Sequence, residues 1–84
     1  MKLLRPNPTE NKLTIDYEVI EEGLTEIYLV NSYGERMKTI LSQEMDSENY
    51  TVDADLNDLS SGLYFIILQT PTIRKTEKLL IIRN

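Results

Sequence analysis

The chain has 84 residues, nine basic against fourteen acidic side chains for a formal charge of −5, and neither histidine nor cysteine. A single domain with a modest core, burying roughly 60% of the unfolded surface, is the size expected for residues 1–84. Disulfides, thiolate metal sites, Ser-His and Cys-His nucleophiles and nearly all zinc chemistry are excluded, and the acidic balance opposes non-specific binding to nucleic acid or an anionic membrane.

Lys2 to Arg5 has room for a short edge strand, which Pro6-Asn7-Pro8 stops, because two fixed φ angles and two missing N–H groups leave no ladder to continue. Only two consecutive apolar residues follow Lys2, too few for a signal-peptide core or a spanning helix. The expectation is a cytoplasmic chain or a piece of a longer exported one. Lys12 to Tyr17 alternates, with Leu13, Ile15 and Tyr17 on one face, as a half-buried strand does. Glu21-Glu22-Gly23 breaks it. Thr25 to Val30 is apolar on both faces and reads as interior to a sheet. In the turn Asn31-Ser32-Tyr33-Gly34, Gly34 is free to take positive φ and Asn31 to bond the backbone two residues on.

Arg36 to Leu41 returns with a weaker alternation, Ser42 to Glu48 reads as an exposed acidic loop, and Asn49 to Ala54 alternates through Tyr50, Val52 and Ala54. Leu56 and Leu59 are apolar anchors in a polar turn that leads through Ser60, Ser61 and Gly62 into the most apolar run, Leu63 to Leu68. Six residues rich in β-branched and aromatic types suit a central strand covered on both faces. Thr70-Pro71-Thr72 is another turn, and Lys75 to Arg83 closes the chain with Leu79, Leu80, Ile81 and Ile82, a run apolar on both faces. About seven short strands, turn signals roughly every ten residues and no helical periodicity predict an all-β antiparallel sandwich or small barrel, the sandwich favoured by the two-faced central strands.

Chemistry is sparse along this chain. Asp53, Asp55 and Asn57 fall at calcium-loop spacing, but Asp58 stands where the sharp-turn glycine belongs and Tyr64 where the bidentate glutamate belongs, so a solvated turn is the better reading. The pairs Glu21 with Glu22 and Asp46 with Glu48 have no apolar pocket around them and read as surface charge rather than glycosidase-type carboxylates. Asn49-Tyr50-Thr51 fits a glycosylation sequon, a pattern common by chance. Tyr64, at the start of a strand after a corner, matches the buried tyrosine whose hydroxyl satisfies a backbone group in Greek-key sandwiches. The chain is not expected to be an enzyme or to carry a cofactor or metal.

Pro6-Asn7-Pro8, Leu13-Thr14-Ile15, Asn31-x-x-Gly34, Leu59-Ser60-Ser61-Gly62-Leu63-Tyr64-Phe65 and Lys78 before the terminal apolar run follow one another over about residues 3 to 83. This ordered set resembles the C-terminal sorting domain of type IX secretion system cargo proteins. Arg5, where the family often has an aromatic residue, and Ile67, where it often has a polar one, depart from it. The resemblance implies a seven-stranded immunoglobulin-like sandwich at the end of a longer secreted protein of Bacteroidota-type bacteria. It implies a non-enzymatic address read by the outer-membrane translocon and its sortase, which commonly removes the domain, with the attached cargo bound for the cell surface or medium.

On that reading Lys78, Leu79, Leu80, Ile81, Ile82, Arg83 and Asn84 are the partner-binding residues, with Lys78, Arg83 and the carboxylate of Asn84 at an exposed edge, and Pro6, Asn7, Pro8, Gly34, Leu59, Gly62 and Tyr64 are motif positions. Pairing through an edge strand would also allow weak self-association. The alternative is a retained carbohydrate-binding or adhesion module, whose aromatic face would have to come from Tyr28, Tyr33, Tyr50 and Phe65.

Overall fold

The alternations in the sequence become seven strands in the computed structural model, which describes residues 1–3 and 11–83. They are β1 (Lys2–Leu3), β2 (Lys12–Glu18), β3 (Gly23–Asn31), β4 (Arg36–Met45), β5 (Asn49–Asp55), β6 (Gly62–Gln69) and β7 (Arg74–Ile81). Pro6, Asn7, Pro8 and Asn84, together with the Leu4–Arg5 end of the expected first strand, lie outside the described residues.

The strands form two antiparallel sheets, ordered β1-β2-β5 and β4-β3-β6-β7. This is an immunoglobulin-like division in which the fourth strand pairs with the third instead of joining the fifth. Period-two patterning explains the core between the sheets: Leu13, Ile15 and Tyr17 from β2 meet Ile27 and Leu29 from β3, Tyr64, Ile66 and Leu68 from β6, and Leu79 and Ile81 from β7. Leu56 and Leu59, the two anchors of the polar turn, are buried in the same cluster. Burying a leucine side chain is worth roughly 2 kcal/mol, so this connection is pinned by its own side chains.

One expectation changes along β4. The exposed loop expected from Ser42 is strand through Met45, which Gly23 pairs and which is buried against the Tyr17 hydroxyl. The polar alternates of Ser42 to Glu44 face solvent on an edge strand, so polarity there marked exposure rather than a loop. The weak alternation of Arg36 to Leu41 also has a structural cause. The register slips between Ile27 and Tyr28 and between Leu29 and Val30, leaving Ile40 and Met37 without partners across the ladder, and each slip inverts the facing pattern.

The two-faced apolar runs are only partly covered. In β6, Ile66 and Leu68 face the core and Ile67 is buried on the outer face, but Phe65 is half-buried and Leu63 is exposed. In β7, Leu79 and Ile81 are buried whereas Leu80 and Ile82 are exposed. Among the described residues the outer face of the four-stranded sheet carries no third layer.

Candidate functional site

The motif residues within the described chain gather at one end of the sandwich. That end is built from the β3–β4 hairpin, the connection from Leu56 to Gly62, and the close of β7. In the hairpin, Gly34 has φ +84° and its N–H donates to Asn31 O at 3.0 Å, while Asn31 Oδ1 accepts from the N–H groups of Tyr33 (2.9 Å) and Glu35 (3.0 Å). A type I turn closed by a positive-φ residue is the geometry that the Asn-x-x-Gly spacing supplies.

Tyr64 is buried, and its hydroxyl donates to Ser60 O at 2.7 Å, locking the turn that precedes β6. This is the tyrosine-corner bond expected from its position. Leu59 N–H in turn reaches Leu56 O at 3.1 Å, so the connection is a compact turn between two buried leucines.

Arg83 is not an outward-facing charge. Its Nε and Nη2 donate to Leu59 O at 3.0 and 2.9 Å, Nη2 also donates to Leu56 O, Nη1 donates to Asn11 Oδ1 at 2.9 Å, and its backbone N–H donates to Ser61 Oγ at 2.8 Å. The half-buried guanidinium therefore clasps the chain just beyond β7 to the 56–61 turn and to the approach to β2. Planar forked donors suit such a cluster of carbonyls. Lys78 lies exposed on the outer face, opposite Phe65, and Leu80 lies opposite Leu63. The terminal segment thus divides: Leu79 and Ile81 are core, Arg83 is a clasp, and Lys78, Leu80 and Ile82 form its outward surface.

The opposite end is acidic. Glu18, Glu22, Glu44 and Asp46 line shallow hollows there beside Met1 and Tyr50, and Glu21 and Glu48 stand next to them in the chain. Glu21, expected as solvated charge, is a clamp: its carboxylate accepts from Thr72 N–H (2.6 Å), Thr70 Oγ1 (2.7 Å) and Thr72 Oγ1 (2.8 Å). Those donors, the Thr72 amide first, hold its pKa below the usual glutamate value. Sequence reasoning missed this because the partners are about fifty residues away; the only local hint was the density of hydroxyls in Thr70-Pro71-Thr72.

Asp53, Asp55 and Asp58 do not converge. Asp53 accepts from Thr14, Asp55 caps Asn57 N–H, and Asp58 pairs with Lys38 at 3.2 Å, a contact that lowers its pKa. Among the described residues no group of three potential ligands is placed to hold a metal ion. Burial, then Tyr50, raises the pKa of Tyr17, whose ring stacks on that of Tyr50 at 5.6 Å inside the rim. Tyr28 lies beneath the Arg36 guanidinium, 3.6 Å from the ring centroid. Of the four aromatics a sugar-binding face would need, Tyr33 alone stands fully in solvent.

Comparison with known proteins agrees with the ordered motifs. The family model of the secretion system C-terminal sorting domain matches residues 4–83. No curated protein matches the chain, and no solved structure does.

Proposed function

The chain belongs to the secretion system C-terminal sorting domains, which direct proteins to type IX secretion, and from that premise we propose that it works as a folded, non-enzymatic address for an N-terminally attached cargo. The observation that carries the reading is the family match across residues 4–83. An outer-membrane translocon engages the domain through the outward surface of the terminal segment, and a sortase then removes it, leaving the cargo at the cell surface or in the medium.

The core role of Leu79 and Ile81 decides how this is tested. Trimming Lys78 to Asn84 would remove two fully buried side chains and abolish folding along with any signal, so loss of export by truncation does not discriminate. Lys78→Glu does, because Lys78 is exposed. Residues 1–84 fused behind a signal peptide and a fluorescent reporter are expressed in a type IX strain and in one lacking its translocon. Reporter outside only when the translocon is present supports the address, and Lys78→Glu is expected to lower export while leaving the circular dichroism spectrum unchanged. Reporter held in the periplasm of both strains, with the domain folded, would sink it.

A further inference from the structure

We propose that the open apolar end of the outer face of the β4-β3-β6-β7 sheet, formed by Leu63, Leu80 and Ile82 with Phe65 and Val30 behind them, docks an apolar, acid-flanked protein surface of the secretion machinery. This deepens the export reading and rests on it. Register defines the patch: Leu63 faces Leu80 across β6 and β7, while Phe65 lies between Val30 on one side and Lys78 on the other. Leu63, Leu80 and Ile82 are 41, 40 and 42% exposed.

Further along the same face the protein covers its own apolar residues. Tyr28 and Ile67 are buried there although neither belongs to the core cluster, because the Arg36 guanidinium lies over the Tyr28 ring and the Tyr28 hydroxyl donates to Gln69 Oε1 at 3.1 Å. Leu63 and Leu80, at the other end of the face, remain exposed. Tyr33 and Met37, on the adjoining hairpin, are exposed too, so five of the seven exposed large apolar side chains among the described residues stand at this end. Contiguous exposed apolar surface on a small soluble domain marks an interaction site.

Charge and position select the occupant. The outer face carries Arg36, Arg74 and Lys78 against Glu26 and Glu44, three cations and two carboxylates; the charges beside the patch are Arg36, opposite Val30, and Lys78, opposite Phe65, whereas Glu26 and Glu44 lie on rows toward the other end. An acidic rim on the partner complements it, whereas a second copy laid on this face would oppose cations to cations. Lys2 pairs with Asp16, which puts Met1 at the acidic end, so a cargo joined upstream leaves the patch uncovered.

The test compares the reporter fusion with the pair Leu63→Thr and Leu80→Thr, with Ile82→Ser, and with the control pair Ile20→Ser and Leu24→Ser, which are exposed apolar residues outside the patch. Threonine keeps the strand preference, and Ile82 lies just beyond β7, so a folded variant is retained in at least one case. Loss of a central apolar anchor is expected to lower exported reporter about tenfold, with urea midpoints unchanged and the control pair exported as the parent is. Patch variants exported as well as the parent would overturn the docking surface while leaving the address standing; a parent fusion that is not translocon-dependent would overturn both. A purified parent chain that sediments as a dimer, and as a monomer once Leu63 and Leu80 are replaced, would assign the face to self-association instead.

Discussion

Replacing Arg83 with alanine separates a structural residue from one read by a partner. The substitution removes both guanidinium donors that reach Leu59 O and the one that reaches Asn11 Oδ1, while Leu56 O keeps the Leu59 N–H at 3.1 Å. Hydrogen bonds from a charged donor are worth about 1.5–3 kcal/mol each, but the side chain is only half-buried and water replaces part of what is lost, so the expected cost is about 2 kcal/mol. For a domain of this size that lowers Tm by about 10 °C. Arg83→Lys keeps the charge without the fork and is expected to lose about half as much. Urea titrations followed by far-UV circular dichroism measure both. A loss below about 0.5 kcal/mol for Arg83→Ala would refute the clasp, since that is the size of an ordinary surface change. Arg83→Ala, assayed below its unfolding temperature, is expected to be exported like the parent; export lost from a folded variant would mean that the charge itself is read.

Three further outcomes test the geometry. Tyr64→Phe deletes the 2.7 Å bond to Ser60 O and is expected to cost about 1 kcal/mol in urea titration, with the strand content unchanged. Gly34 sits at φ +84° with open space where a Cβ would go, so Gly34→Ala is expected to cost about 1 kcal/mol by backbone strain and Gly34→Asn clearly less, read from thermal unfolding. Glu21 has a folded pKa below its unfolded value, so its contribution to stability is complete above the ordinary glutamate pKa of about 4.3 and is lost as pH falls through the lowered folded value. The urea midpoint of Glu21→Gln is therefore expected to fall less than the parent's between pH 6 and pH 3; parallel curves would show that the carboxylate clamp contributes nothing.

Features set by neighbours in sequence were legible. The strict alternation of Lys12 to Tyr17 placed Leu13, Ile15 and Tyr17 in the core, the Asn31-to-Gly34 spacing gave the hairpin, and the position of Tyr64 gave its bond. What was hidden depends on distant partners. Bulges opposite β3 scrambled the pattern of β4, and an apolar run such as Leu79 to Ile82 looks the same whether or not another layer covers its second face. Arg83 and Glu21 both looked like surface charges, because an ionisable side chain finds its carbonyl or hydroxyl partners through the fold and leaves no local periodicity.

The placement of Met1 beside Glu18 and of Arg83 against Asn11, at opposite ends of β2, has a mechanical consequence. A cargo dragging upstream of Met1 and a translocon holding the far tip would pull along the strands rather than across them. Ladder bonds between β6 and β7 would then be strained together in shear instead of unzipping one by one, so a force that peels a hairpin open at its end would leave this domain folded while it is towed.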